Sequence, residues 1–367
     1  MRGIGYLARH RPANRRSHEL KNIPTAAVRR PAPRATLKAV AQLAGVSPIT
    51  VSNYVNGRFQ AMSAETRERV GAAVAQLNYR ANLAARGLRS ARHFCVALIV
   101  VDERQNFLSH PAHHQVAAGL SNALNEAGYA LAIEGVRPGR IRDASSLDRL
   151  SVDGVCLIAS GAQPDRQAVL ETLHATRQPL VVFHDPPAGD QDDRSCHIRS
   201  DDRRGGLLLG EVAARRGARD VVLLLPNREW AAMNERADGA AQALRAAGAT
   251  CRTLHAEGMS REAAAEALDA DRIAHGVPDA IIAGNDLLAA AAQRYYMGRG
   301  VRVPEDLLVC GFGGYYLGQY LTPPIVSVRI PAYEMGQVGG REMLNAIDGR
   351  PFTSNDIVLP VRLLDAD

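Results

Sequence analysis

Thr36-Leu-Lys38-Ala-Val40-Ala-Gln-Leu-Ala44-Gly45-Val46-Ser47-Pro48-Ile49-Thr50-Val51-Ser52-Asn53-Tyr-Val55-Asn56-Gly57 reads as two short helices joined by a tight turn. Thr36 offers a hydroxyl N-cap ahead of Leu37, Val40, Ala41 and Ala44, which share one helical face. Gly45 stands where a left-handed turn needs a residue without Cβ. Ser47 can cap a second helix, and Pro48 takes its first position, where a missing N–H costs nothing. Val51 and Val55 face inward, leaving Ile49, Thr50, Ser52 and Asn53 for an outward face. This is the pattern of a helix-turn-helix, whose second helix fits a DNA major groove; an ordinary helical hairpin is the competing reading.

The flanking residues favour the former. Ser63-Ala-Glu65-Thr66 opens a third helix in which Val70, Val74 and Leu77 recur at helical spacing and close a three-helix core, with Glu65, Arg67, Glu68 and Arg69 on its solvated side. Leu77-Asn-Tyr79-Arg80-Ala81-Asn82-Leu-Ala-Ala85-Arg86-Gly-Leu88-Arg89 can form a short helix, too small to be stable unless something holds it. Charge points the same way. Residues 1–35 carry nine Arg and Lys against Glu19, a net +8, and residues 36–92 carry eight against Glu65 and Glu68, a net +6. With a total of +6, residues 93–367 are left at −8, so a polyanion-binding front is joined to an acidic body. Residues 1–35, punctuated by Pro12, Pro24, Pro31 and Pro33, read as a disordered basic extension or as a start codon placed too early. No apolar stretch follows the early arginines, so a secretory signal is not expected, although the arm resembles a transit peptide in composition.

At Thr36–Gly57 the chain resembles the LacI/GalR family of bacterial transcription regulators almost position by position, and Ser63…Thr66-Arg67…Val70…Leu77-Asn-Tyr79 and Asn82…Ala85-Arg86…Leu88 resemble its third helix and hinge. The resemblance implies DNA contacts by Thr36, Lys38, Ser47, Pro48, Ile49, Thr50, Ser52, Asn53, Asn56, Arg58, Asn82, Ala85, Arg86 and Leu88. Leu88 falls where the family wedges a leucine from each subunit into the minor groove. Asn53 stands where many relatives carry Arg, which moves the preferred base from guanine toward adenine. Pro48 shifts base reading toward Ile49, Thr50 and Asn53, and Ala81 replaces the usual hinge proline.

The rest of the chain alternates short apolar runs with helical segments. Phe94–Val101, Tyr129–Val136, Val152–Ala159 and Leu180–His184 form one series, and Val221–Leu225, Thr250–Leu254, Ala280–Ala283 and Leu308–Cys310 a second. The expected fold is therefore a small all-α helix-turn-helix headpiece followed by an α/β body of two parallel-sheet lobes with helices on both faces. Its boundaries are 1–35 for the extension, 36–80 for the headpiece, 81–92 for the hinge helix and linker, and 93–367 for the two-lobed effector-binding and dimerisation domain. Gly311-Phe-Gly313-Gly314 is too short a match for a dinucleotide-binding loop.

The family resemblance extends through the body as a periplasmic-binding-protein-like sensor, carried by Val152-Asp153-Gly154-Val155, Asp201-Asp202…Gly205, Arg236-Ala-Asp238-Gly239, Asn285-Asp286, Val303-Pro304-Glu305-Asp306 and Pro323-Pro324. It places His113, Trp230, Arg236, Asn285 and Asp286 at an effector pocket between the lobes. The fork of donors on Arg236 suits hydroxyls, carboxylate or phosphate, against the alternative of a surface helix arginine. Asp286 either orients the pocket or caps the helix beginning near Leu287, and Trp230 either stacks on a ligand or packs its lobe. Gly313-Gly314 replaces the family's common Gly-Tyr/Phe-Asp-Asp, so the carboxylate that would take paired sugar hydroxyls is missing and a sugar effector is no better than even. His110, His113 and His114 have metal-like spacing but no completing Cys or Glu, and read as a solvated rim.

No nucleophile elbow, His-Glu-x-x-His or phosphate loop occurs, so no catalytic residue, metal or cofactor is expected, and Asp192 and Asp193 read as solvated. Cys95, Cys156, Cys196, Cys251 and Cys310 lie at least 40 positions apart and read as reduced thiols of a cytoplasmic protein. The longest apolar run, Phe94–Val101, is eight residues, well short of the ~20 a spanning helix needs, and no membrane partner is expected. The function read from these residues is a homodimeric or tetrameric transcription regulator, a repressor, that grips a pseudo-palindromic operator in double-stranded DNA and is switched by a small-molecule effector. A solute-binding protein is the first alternative, although it should carry an export signal and lack residues 36–92. A cytosolic enzyme on a doubly wound fold is the second.

Overall fold

The computed structural model describes residues 35–55, 57–79, 92–103, 105–144, 151–187, 195–227 and 230–364. The chain divides into two compact units, Met1–Asn82 and Leu83–Asp367. The readings made for residues 1–34, Asn56, Arg80 and the hinge residues Asn82, Ala85, Arg86 and Leu88, and for Asp192 and Asp193, lie outside the described residues.

The first unit holds α1 (Leu37–Ala44), α2 (Pro48–Val55) and α3 (Ala64–Gln76). Thr36 caps α1, its hydroxyl accepting the Ala39 N–H at 3.2 Å, and Gly45 ends it at φ 63°. The Val46 N–H then closes the turn on Ala41 O at 3.0 Å. Ser47 Oγ accepts the Thr50 N–H at 3.2 Å and pairs with the Thr50 hydroxyl at 3.0 Å, so α2 starts at Pro48 as its capping residues dictate. Val40, Ala41, Ala44, Val51, Val70 and Ala73 form the buried core, with Leu37, Val55, Val74 and Leu77 packed on it.

The second unit contains two six-stranded sheets. One has the order β11-β5-β4-β3-β1-β2, from β1 (Cys95–Val101), β2 (Ala130–Val136), β3 (Gly154–Ala159), β4 (Leu180–Phe183), β5 (Ser195–Ser200) and β11 (Asp356–Leu359). The other has the order β12-β10-β9-β8-β6-β7, from β6 (Asp220–Pro226), β7 (Thr250–Ala256), β8 (Ala280–Ala283), β9 (Leu308–Gly313), β10 (Val326–Arg329) and β12 (Arg362–Leu364). All pairings are parallel except β10 with β12. The eight anticipated strands are all present. Sequence periodicity missed β5, β10, β11 and β12, which are short or carry polar residues.

Helices α4 (Pro111–Glu126), α5 (Gln163–His174) and α11 (Ala332–Ile347) cover the first sheet; α6 (Asp202–Arg215), α7 (Ala231–Ala246), α8 (Arg261–His275), α9 (Asp286–Met297) and α10 (Tyr316–Tyr320) belong to the second lobe. β1 shows why the runs are continuously apolar: Val96, Leu98 and Val100 pack with α4 while Ala97, Ile99 and Val101 pack with α5, so both faces are buried. The lobes repeat one device. Asp153, just before β3, takes the His93 and Phe94 N–H groups at the start of β1, and Asp279, just before β8, takes the Arg219 and Asp220 N–H groups at the start of β6. The chain crosses between sheets three times, after β5, β10 and β11.

Candidate functional site

The outward face of α2 is as its sequence implies. Ile49 is 72% exposed, Ser47, Pro48, Lys38 and Arg58 are exposed, and Thr50, Ser52 and Asn53 are half-buried. The aliphatic side chain of Ile49 is of the kind that can make apolar contact with a thymine methyl. Phe59 packs edge-on to Tyr54 at 5.6 Å, and the Arg67 guanidinium lies 4.0 Å over it, holding the segment after α2.

Between the lobes of the second unit lies a cleft that encloses about 590 Å³ of empty space, open solvent included. It sits where loops leave the carboxyl ends of the parallel strands: Ala159 ends β3, His184 and Asp185 follow β4, and Tyr315 follows β9. His113, Trp230, Arg236 and Asn285 all line it. Their helices start at the cleft, α4 with His110 as N-cap and α7 with Trp230 as N-cap.

Arg236 is 8% exposed, which removes the surface-arginine alternative. Its Nε donates to Asp202 Oδ1 at 2.7 Å, its Nη1 to Gly284 O at 2.7 Å, and its guanidinium lies 3.9 Å over the Phe312 ring. Asp202 opens α6 directly after the first crossover and also accepts the Ser200 hydroxyl at 2.9 Å. The cleft guanidinium is thereby tied to the start of α6, where the chain has just crossed between the lobes.

Two expectations need correction. His110 and His113 are not a solvated rim: they are 9% and 3% exposed, with ring centroids 4.6 Å apart, and only His114 is exposed. Across the cleft, His110 meets Trp230 edge to face at 5.9 Å. Asp286, expected at the pocket, does not line it. Asn285 is the N-cap of α9, its Oδ1 accepting the Leu288 N–H at 2.9 Å, while Asp286 is 1% exposed and accepts the Ser327 hydroxyl at 2.6 Å and the Tyr315 N–H at 2.9 Å. Burial raises the Asp286 carboxyl pKa against these hydrogen bonds. The residue braces the loop Gly313–Tyr315 that forms the wall.

Sequence reasoning missed His184, Asp185, Phe312 and Tyr315. Their common signal is position at or just beyond the end of a parallel strand. Asp185 is paired with Arg166 at 2.8 Å. His184 has φ 67°, and burial, then the neighbouring His113 and Arg236, push its pKa down to about 3.

The family description "Bacterial regulatory proteins, lacI family" matches residues 36–82, and "Periplasmic binding protein-like domain" matches residues 211–365. The HTH-type transcriptional regulator CelR of Thermobifida fusca is 31% identical over 343 residues, spanning 90% of this chain and 97% of that protein. The chain belongs to the LacI family of bacterial regulatory proteins. Another LacI-family relative, the ribose operon repressor of Bacillus subtilis (strain 168), is 28% identical over 89% of this chain and 96% of its own length. Among solved structures, a CelR–cellobiose complex is 28% identical with a TM-score of 0.66, covering 90% of this chain and 99% of that one. The Lac repressor dimer bound to operator and the anti-inducer ONPF shares the fold, with a TM-score of 0.73 at 24% identity over 91% of this chain and 98% of that one. As a LacI-family member this is a DNA-binding transcriptional regulator with a helix-turn-helix headpiece and a two-lobed α/β body. Among the described residues no helix is long and apolar enough to cross a membrane.

Proposed function

We propose that this regulator is a cytoplasmic homodimer that binds a pseudo-palindromic operator and that a small molecule in the cleft sets its operator affinity. The observation that carries the reading is the Arg236–Asp202 link at 2.7 Å, which joins the cleft wall to the first residue of α6, directly after the crossover from β5. A ligand that pulls on Arg236 shifts the lobe angle through Asp202. Ser327, on the strand before the second crossover, is tied to the cleft loop in the same way through Asp286.

On DNA, Lys38 and Arg58 would contact phosphates, and Ile49, Thr50 and Asn53 would read base edges. Residues 81–92 would form paired hinge helices placing Asn82, Ala85, Arg86 and Leu88 in the minor groove. Lobe movement alters the hinge separation, and a coupling of ~1–3 kcal/mol changes operator affinity roughly 5–150-fold. Catalysis is not part of this reading. Ser195 Oγ does lie 3.1 Å from His197 Nε2, but both residues are fully buried in β5 and neither lines the cleft, so the pair is a packing hydrogen bond.

Selection of fragments from a random DNA pool by the full chain should recover a pseudo-palindrome, and binding to it should fall linearly in log salt with a slope set by the phosphates contacted. A monomer with no preference among duplexes, or a flat salt dependence, overturns the proposal.

A further inference from the structure

We propose that the cleft takes a flat aromatic carboxylate rather than a polyhydroxylated compound, an inference that rests on the effector-switch reading and deepens it. Three side-chain atoms in its wall, Trp230 Nε1, Tyr315 Oη and His184 Nε2, are buried without any hydrogen-bond partner. Buried polar atoms are rarely left so, because each forfeits its hydration. Three around one cavity call for a ligand that completes them.

The indole N–H can only donate, and a phenol donates readily. Arg236 adds a further donor, because its Nη2 has no hydrogen-bond partner among the described residues. Of the acceptors in the wall, Asp185 Oδ2 is engaged by Arg166 and Asn285 Oδ1 by the Leu288 N–H. Each sugar hydroxyl brings a proton that needs an acceptor, whereas a carboxylate brings acceptors alone. The position that could have carried a carboxylate is closed. Gly313 has φ 131°, and a Cβ there would lie 2.3 Å from the Tyr315 ring, which fills that space. The shape agrees, since Phe312, Tyr315, Trp230 and His110 surround the cleft with ring faces and edges suited to a planar body. His113 and Arg236 both disfavour protonation of His184, a local field that welcomes an anion.

Trp230 is the only tryptophan in the chain, so its emission reports this site alone. Titration of the full chain with benzoate and indole-3-carboxylate should give a saturable emission change, with none from benzyl alcohol, cellobiose or ribose at millimolar concentration. Tyr315→Phe, which keeps the ring, should weaken carboxylate binding about tenfold by removing a charge-assisted hydrogen bond. A saturable response to a sugar without one to the carboxylates, equal responses to benzoate and benzyl alcohol, silence with every probe, or an unchanged Tyr315→Phe titration each overturn the ligand class. The switch reading fails separately, if a compound that saturates the emission leaves operator affinity unchanged.

Discussion

His184 concentrates the physics of the cleft in one side chain. It sits in the left-handed backbone region at φ 67°, and its pKa is pushed down to about 3, first by burial and then by His113 and Arg236. The unfolded chain takes up this proton near pH 6.5 and the folded chain does not, so the stability His184 confers is complete above pH 6.5 and shrinks as the pH falls toward 3. The loss is at most ~1.4 kcal/mol per pH unit. His184→Asn, which tolerates the backbone, should show a smaller drop in urea midpoint between pH 7 and 5 than the parent; equal drops would remove His184 from the acid sensitivity. The placement of Arg236, Trp230, His113 and Asn285 was legible in the sequence, because each belongs to a segment whose order along the chain matches a recognisable body. His184 and Tyr315 were not legible. A histidine after a strand and a tyrosine after two glycines carry no periodic signal, and only the strand ends that bring them together give them a role. Gly313-Gly314 was legible as a loss, a missing carboxylate, but not as the Tyr315 ring that takes its space.

Helix pairing in the second lobe depends on absent side chains. α6 and α7 approach so closely that a Cβ on Gly239 would fall 2.0 Å from Arg203 O, and one on Gly206 would fall 2.0 Å from Arg236 O. That contact brings Arg236, one turn before Gly239, within reach of Asp202. Gly239→Ala should cost about 1–3 kcal/mol in denaturant unfolding, and it should weaken the response to a cleft ligand by moving Arg236. An unchanged midpoint would mean that the helices can separate freely. The six strands with almost every residue buried, β1, β3, β4, β6, β8 and β9, were readable as apolar runs, and so were the half-exposed edge strands β2 and β7 and, from Thr36, Gly45, Ser47 and Pro48, α1 and α2. β5 was not, because Ser195, His197 and Ser200 put polar groups at buried positions where hydrogen bonds, not hydrophobicity, satisfy them. β11 and β12 are edge strands of four and three residues with half-exposed side chains, below the length at which alternation can be recognised.

For the whole molecule, three crossovers join the two lobes of the body. Both sheets carry helices, and in the proposed switch the angle between the lobes is the coordinate that a cleft ligand would bias. Arg199 illustrates the arrangement. On β5 it holds Asp356 of β11 through two hydrogen bonds of 2.9 and 2.8 Å and approaches Glu235 of the second lobe at 3.7 Å. The charge asymmetry fits the proposed division of labour, in which a cationic front would supply salt-dependent affinity and an acidic body would not compete for the same polyanion. The most direct measurement is operator affinity of the full chain as a function of cleft occupancy, with Trp230 emission reporting occupancy and fluorescence anisotropy of labelled operator reporting binding. Affinity should change between about 5- and 150-fold as the emission saturates; an operator affinity that stays constant while the cleft fills would contradict the account.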